Sequence, residues 1–240
     1  MRKRLFILTS LLFVIAYSEK NMCQTQINVE KGIQKKAEKF FNKMTLEEKQ
    51  AQLNGIRPND LMEKGQLSIK LCKEKIHFGI GRMSHLALSL NLPPNQLRDF
   101  VRQLQNYLIK QIHSGVPAIF HEEAITGFCT LGAISFPYQI GMSCIWNPEF
   151  VMKNTKRTAK IKRQIRVLMT LSPKEDVIKN AHWSCIEEGF GEDAYLTSRI
   201  VQAFVQGLKE NNLQTVWSPL PSILQEMEMT VLKCKNEINS

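Results

Sequence analysis

Segments with helical spacing alternate with short apolar runs along much of this chain, and each apolar run ends in a polar segment. Residues 148–166 lead to the run 167–171, and residues 194–209 lead to the run 213–217. This alternation predicts α-helices that connect parallel strands in an α/β fold.

An earlier unit of the same kind starts at Pro94, which opens a helix with apolar residues three and four positions apart as far as Ile112. The apolar run 116–120 follows and is predicted to form a buried strand. His121, Glu122 and Glu123 come directly after it. Carboxylates that follow a strand lie at the edge of the sheet where α/β barrels build their active sites.

The N-terminus predicts export. Arg2, Lys3 and Arg4 precede an apolar run, and Ala16-Tyr17-Ser18 then gives a small-x-small cleavage pattern, so residues 1–18 are predicted to be a secretory signal peptide. The apolar run is shorter than the roughly 20 residues that a helix needs to cross a bilayer. An uncleaved anchor is the rival interpretation, and no membrane association is predicted after cleavage.

Residues 19–43 form a lysine-rich lead-in with apolar residues at helical spacing, and a helix is predicted there. Thr45 and Glu48 form a capping-box pattern, which predicts a second helix that runs through Leu53.

The composition is that of a globular protein, with 43% hydrophobic and 22% charged residues among 240. The net charge is +10, but the cations are spread over two predicted helices, 31–39 and 153–166, without interleaved aromatic residues. Solvated helix faces explain both groups, and nucleic-acid binding is not predicted.

Six cysteines lie far apart without a CxxC pair. They predict neither a zinc site nor an assignable disulfide framework, and free thiols are the favoured interpretation.

Several loop sequences occur together and in order along the chain. They are Met44-Thr45-Leu46-Glu47-Glu48-Lys49, Gly115 to Ala124 with Gly127, Phe136-Pro137 with Gly141, Trp146-Asn147-Pro148-Glu149, Leu171-Ser172-Pro173 with Asp176-Val177, and His182-Trp183 leading to Gly189-Phe190-Gly191-Glu192-Asp193-Ala194-Tyr195-Leu196. From Met44 to Leu213 the chain therefore resembles the N-terminal domain of glycoside hydrolase family 3, which contains β-glucosidases and β-xylosidases.

This resemblance implies an incomplete TIM-like (β/α) barrel over residues 44–217, with a divergent tail at 218–240. It also implies hydrolysis of O-glycosyl bonds at the non-reducing end of a β-linked oligosaccharide or glycoside. Such chemistry uses two carboxylates and needs no metal or other cofactor. In the family, the nucleophile and the acid/base come from later segments, so we expect no catalytic residue within this chain.

Two residues are expected to bind substrate. Glu123 stands where the family places a carboxylate that holds sugar hydroxyls in the −1 subsite, and carboxylate oxygens accept hydrogen bonds from such hydroxyls. The alternative is that Glu122 and Glu123 only solvate a loop. His182 and Cys185 stand where many members have the two arginines of an Arg-Trp-Gly-Arg motif; His182 is expected to retain a polar contact and Trp183 to pack in the core.

Three functional hypotheses follow from the sequence. The chain derives from a secreted or periplasmic family 3 enzyme and is a truncated copy that needs a missing half, it is a sugar-binding pseudoenzyme that uses Glu123 and His182, or it is a non-functional fragment with an open sheet edge. Without the resemblance, the residues indicate an exported α/β domain that binds a small polar ligand.

Overall fold

The computed structural model describes residues 31–215. The predicted signal peptide, residues 19–30 of the lead-in, the last two residues of the predicted strand 213–217 and the tail 218–240 lie outside the described residues. The chain divides between Lys49 and Gln50 into two compact units.

The first unit contains a helix over residues 31–43, named α1, whose residues are exposed. The capping box is confirmed at the start of the next helix. The Thr45 amide donates to Glu48 Oε2 at 3.0 Å, and the Glu48 amide donates to Thr45 Oγ1 at 3.3 Å. Within the same unit, the Lys49 ammonium lies 4.1 Å from the ring centroid of Phe41.

The helices that follow α1 include three long ones, α5, α7 and α8. Their bounds are α2 Leu46–Leu53, α3 Ile69–Lys75, α4 Leu86–Leu90, α5 Pro94–Gln111, α6 Gln139–Ser143, α7 Pro148–Ile165 and α8 Ala194–Lys209. Short 3₁₀ helices occupy Pro58–Leu61 and Ile186–Glu188. No helix among residues 31–215 has both the length and the apolar character to span a membrane.

The second unit is built on a parallel sheet. Its strands are β1 Gly55–Ile56, β4 Arg82–Ser84, β5 Ile119–Glu122, β6 Met169–Thr170 and β7 Gln214–Thr215, hydrogen-bonded in that order. The strands β2 Met62–Glu63 and β3 Gln66–Leu67 form a separate antiparallel hairpin. Neighbouring parallel strands that follow chain order, with helices between them, are the arrangement of a (β/α) barrel, so the predicted α/β class is confirmed.

Two apolar clusters lie between the sheet and the helices. One contains the buried face of α5, including Leu97, Val101 and Leu104, against Phe120 of β5. The other surrounds α8, where the rings of Phe190 and Phe204 meet edge to face with centroids 5.9 Å apart. Each of these side chains is at least 95% buried, and the first cluster packs α5 against the sheet.

The helices α7 and α8 approach closely at Gly207. A Cβ atom at this position would lie 2.0 Å from Thr155 Oγ1 and 2.4 Å from the Met152 carbonyl oxygen of α7. Glycine is therefore required at this crossing, since any side chain would drive the two helices apart.

The strand predicted at 116–120 begins too early, because β5 runs from Ile119 to Glu122. The reason lies in Ala118, whose two backbone groups are taken by one side chain of α5. Gln105 Nε2 donates to the Ala118 carbonyl at 2.7 Å, and the Ala118 amide donates to Gln105 Oε1 at 3.1 Å. Pairing with β4 consequently begins only at Ile119.

The carboxyl edge of the sheet as a candidate active site

The neighbouring strands β5 and β6 end side by side at the carboxyl edge of the sheet. His121 pairs with Met169, and Glu122 pairs with Thr170. The Leu171 amide then donates to the Glu122 carbonyl at 3.1 Å, which extends the pairing by one hydrogen bond. Glu123 is thus the first residue beyond β5.

Glu123 is partly exposed at this edge. Ser172 Oγ donates to Glu123 Oε2 at 3.1 Å, and the same oxygen of Ser172 accepts from the Ala124 amide at 2.8 Å. Ser172 is buried, so it is a fixed donor to one carboxylate oxygen. No described residue donates a hydrogen bond to the other oxygen, Oε1, which leaves an acceptor for a ligand hydroxyl.

Glu122 does not solvate a loop, contrary to the alternative considered from the sequence. It belongs to β5, is 5% exposed and accepts a hydrogen bond at Oε1 from the Ala87 amide in the first turn of α4. Burial raises the pKa of Glu122, while the Ala87 hydrogen bond and the nearby Lys162 charge act in the opposite direction. The two consecutive glutamates therefore have different environments.

The prediction that the cations of 153–166 form a solvated helix face is wrong for Lys162, which is fully buried. Its Nζ donates to the carbonyl oxygens of Glu122, at 3.4 Å, and Glu123, and to Thr170 Oγ1 at 3.0 Å. Burial lowers the pKa of Lys162, and the charges of Glu122 and Glu123 oppose that effect.

On the other face of β5, the buried His121 lies edge to face with His85, with ring centroids 6.5 Å apart. Neither Nδ1 atom has a hydrogen-bond partner among the described residues. Burial lowers the pKa of His121, and the charges of His85, Arg82 and Lys162 act in the same direction. A neutral imidazole is therefore favoured at this position.

His182 lies on the long connection after β6 and is exposed. Its amide donates to Asn180 Oδ1 at 2.9 Å, and its Nδ1 lies 3.2 Å from the same oxygen. No hydrogen bond joins His182 to Glu123 in the described part of the chain. The two residues expected to bind substrate thus follow consecutive strands, Glu123 directly after β5 and His182 well beyond the end of β6.

The residues next to His182 are held by a lysine from the same connection. Trp183 is 9% exposed, which agrees with its expected packing role, and Lys174 Nζ lies 5.5 Å from its ring centroid. Lys174 Nζ also forms an ion pair with Glu188 at 2.8 Å. Hydrogen bonds to Glu188 and Cys185 raise the pKa of Lys174 against the effect of burial.

Asp193 caps α8, since its Oδ1 accepts from the Leu196 amide at 2.6 Å. The described cysteines 72, 129, 144 and 185 are free thiols. Cys72 is the buried one among them, and burial raises its pKa to about 11.

A cavity of about 900 Å³ lies along α8 and does not include the carboxyl edge. Its lining includes Val201 and Val205 with Lys209 and Glu210 at one end, whereas neither Glu123 nor His182 lines it. We place the candidate site at the strand ends because that is where fixed polar groups converge.

The sequence reasoning missed Lys162 and gave no role to Ser172. A signal for Lys162 was present, because Val151, Thr155, Thr158 and Ile165 occur at helical spacing and Lys162 lies on the same stripe of α7. For Ser172 the only signal is its place after a predicted strand, opposite Glu123 on the neighbouring one.

The sheet order and the strand-end carboxylates define this chain as part of a (β/α) barrel protein. Residues 45–222 match the family described as Glycosyl hydrolase family 3 N terminal domain. Since this match covers well over half of the chain, the protein belongs to glycosyl hydrolase family 3.

Curated relatives agree with this assignment. The chain is 32% identical over 101 residues to the beta-xylosidase of Formosa agariphila, which covers 40% of this chain and 14% of that protein. A second Formosa agariphila protein is 28% identical over 188 residues, or 77% of this chain and 25% of that protein. The periplasmic beta-glucosidase of Salmonella typhimurium is 26% identical over 126 residues, or 52% of this chain and 16% of that protein. The chain thus spans about a quarter or less of the length of these relatives.

Solved structures show the same fold. A β-glucosidase from Erythrobacter marinus superposes with a TM-score of 0.65 at 28% identity, over 74% of this chain and 24% of that structure. A β-glucosidase from Listeria innocua superposes with a TM-score of 0.60 at 23% identity, over 77% of this chain and 26% of that structure. The second likeness concerns the fold alone.

Proposed function

We propose that this chain supplies part of the glycone pocket of an exported family 3 β-glycosidase that acts on β-glucosides or β-xylosides. In this proposal Glu123 accepts hydrogen bonds from sugar hydroxyls, and the chain does not hydrolyse a glycoside by itself. Export is supported by the pattern of residues 1–18 and by the similarity to the periplasmic beta-glucosidase of Salmonella typhimurium.

The proposal rests mainly on the hydrogen bonding and the exposure of Glu123. One carboxylate oxygen is held by Ser172 at 3.1 Å, and the residue is partly exposed at the carboxyl edge of the sheet. A carboxylate fixed through one oxygen offers the other in a defined direction, which suits recognition of a sugar hydroxyl. Active sites of (β/α) barrels lie at this edge.

His182 is the second proposed sugar contact. It is exposed and its ring is oriented by Asn180, so one ring nitrogen remains for a ligand. A histidine offers one donor or one acceptor at that nitrogen, whereas an arginine offers a fork of donors. We therefore expect a weaker contribution from His182 than from Glu123.

The test is sugar binding and hydrolysis by the purified chain lacking residues 1–18. Methyl β-D-glucopyranoside and methyl β-D-xylopyranoside are titrated by ligand-observed NMR, and 4-nitrophenyl β-glycosides are used to assay hydrolysis. We expect weak binding without turnover, and about tenfold or more weaker binding by Glu123→Gln, since a hydrogen bond to a charged group contributes about 1.5–3 kcal/mol.

Glu74→Gln is the matched control, because Glu74 is an exposed glutamate on α3, away from the strand ends. Equal binding by Glu123→Gln and Glu74→Gln would contradict the proposed role of Glu123. Turnover that Glu123→Ala abolishes would show instead that a catalytic carboxylate lies within these 240 residues.

A further inference from the structure

Lys162 reaches the candidate site from behind the sheet. It lies on α7, the helix between β5 and β6, and its relative exposure is 0%. Lysine is almost never fully buried without a compensating partner, because removing its ammonium from water costs several kcal/mol. The contacts of Lys162 must therefore compensate for the free-energy cost of burying its ammonium group.

Those contacts match an ammonium group. An ammonium has three donors, and Lys162 Nζ has three acceptors, the carbonyl oxygens of Glu122 and Glu123 and the hydroxyl of Thr170. The buried Glu122 carboxylate supplies a neighbouring negative charge, and its Oε1 is itself held by the Ala87 amide. Every donor of the lysine is thereby used.

The three acceptors of Lys162 lie together where β5 and β6 end. Two of them are the carbonyls of Glu122, the last residue of β5, and of Glu123, the first residue beyond it. The third belongs to Thr170, which pairs with Glu122 from β6. A single side chain of α7 thus joins the ends of two strands where Glu123 leaves the sheet. Ser172 fixes the carboxylate of Glu123, whereas Lys162 fixes its backbone.

We propose that Lys162 is a positioning residue for Glu123, which sets the backbone beyond β5 so that the carboxylate meets the sugar in one orientation. The proposal rests on the sugar-binding role given to Glu123 above. Lys162 does not touch the sugar in this arrangement and acts only through the residues that it holds. Loss of its three donors frees the segment from Glu123 to Ala124 without removing any group that contacts the ligand.

The test variant is Lys162→Met, which keeps a side chain of similar length and removes all three donors. Lys160→Met is the matched control, because Lys160 is an exposed lysine of the same helix. The first measurement is amide hydrogen exchange at Ala124 and Leu171, whose hydrogen bonds lie on either side of the lysine contacts. The reference amides are those of Leu104 in α5 and Phe204 in α8.

We expect exchange at Ala124 and Leu171 to accelerate at least tenfold more than at the reference amides in Lys162→Met, and not at all in Lys160→Met. Uniform acceleration at all four amides would overturn the proposal, since it would mean that the lysine only supports global stability. If Lys162→Met does not fold, Thr170→Val gives the same test, because it removes one acceptor and leaves the lysine in place. The same local acceleration, smaller in size, is then expected.

The second measurement is binding of methyl β-D-glucopyranoside and methyl β-D-xylopyranoside. We expect at least tenfold weaker binding by Lys162→Met and unchanged binding by Lys160→Met. Wild-type binding that Lys162→Met retains in full would overturn the positioning role while leaving the proposed function intact. A wild-type chain that binds neither sugar would refute the proposed function, and the exchange measurement would still decide whether Lys162 orders this segment.

Discussion

The electrostatic coupling between the buried Lys162 and Glu122 side chains can be tested with a double-mutant cycle. Lys162→Met removes the donor to the carbonyl oxygens of Glu122 and Glu123 and to the Thr170 hydroxyl. A buried polar group left without its hydrogen bond costs about 1–3 kcal/mol, so this variant should lose a large fraction of the roughly 5–15 kcal/mol that typical domains have. Glu122→Gln removes the carboxylate charge that raises the pKa of Lys162, while the amide oxygen of the substituted side chain would still accept from the Ala87 amide. Its cost should therefore be smaller.

The double variant should be less destabilised than the sum of the two singles. Once Lys162 is absent, the Glu122 carboxylate has no nearby ammonium to stabilise, so its loss should cost less than it does in the wild-type background. The cost of the lost lysine hydrogen bonds remains in the double variant. We expect the coupling to exceed the roughly 0.5 kcal/mol by which independent sites depart from additivity.

The assay is urea unfolding followed by circular dichroism, with the midpoint and slope fitted for all four proteins of the cycle. Lys160→Met should stay within about 0.5 kcal/mol of wild type, as surface substitutions generally do. Single-variant costs that simply add in the double variant would refute the argument, because they would show that the two charges do not compensate each other in the folded protein.

Three further outcomes are expected. The Glu122 carboxyl pKa, followed by side-chain ¹³C NMR, should rise further in Lys162→Met, because burial raises this pKa and the Lys162 charge lowers it; an unchanged value would exclude the electrostatic contact. Gly207→Ala should cost about 1–3 kcal/mol or more in urea unfolding, because its Cβ would lie 2.0 Å from Thr155 Oγ1; wild-type stability would mean that the helices separate freely. Asp193→Ala should cost about 1 kcal/mol through loss of the α8 cap, and Asp193→Asn should restore most of it; equal stability of the two variants would contradict a capping role.

Local rules predict the long helices of this chain well. The helix opened by Pro94 and the helix capped by Asp193 lie where their apolar spacing and end signals place them. The strands are harder, because β6 and β7 have two residues each and β4 contains one buried side chain, Met83. A strand that short has no measurable alternation, so its position depends on partners that are distant in the sequence.

The start of β5 shows the same limit. The apolar run begins at Val116, but the Gln105 side chain binds both backbone groups of Ala118, and pairing starts one residue later. The sequence of residues 116–120 gives no sign of the contact with Gln105 or of the later start of β5. The contact forms between a helix and the strand that follows it, 13 residues apart in sequence.

The burial of Lys162 was not predicted from the sequence, for a related reason. A lysine within a cationic helix is usually solvated, and the carbonyl oxygens that receive its hydrogen bonds are about 40 residues earlier in the chain. Its place on the apolar stripe of α7 was the usable signal. Taken with the carboxylates after the strand, that signal predicts a buried partner, although it does not identify which carboxylate.

The geometry of the strand gives the two glutamates different surroundings. Side chains alternate between the two faces of a sheet, and Glu122 shares a face with Phe120, which packs against the helices. Glu122 therefore carries its carboxylate on the helix side of the sheet, where the Ala87 amide donates to it, while Glu123 begins the loop at the carboxyl edge and accepts from Ser172. Two adjacent glutamates that look equivalent in the sequence thus separate into a structural residue and a ligand-binding candidate. Substitution of Glu122 should then reduce stability more than sugar affinity, and substitution of Glu123 should do the reverse.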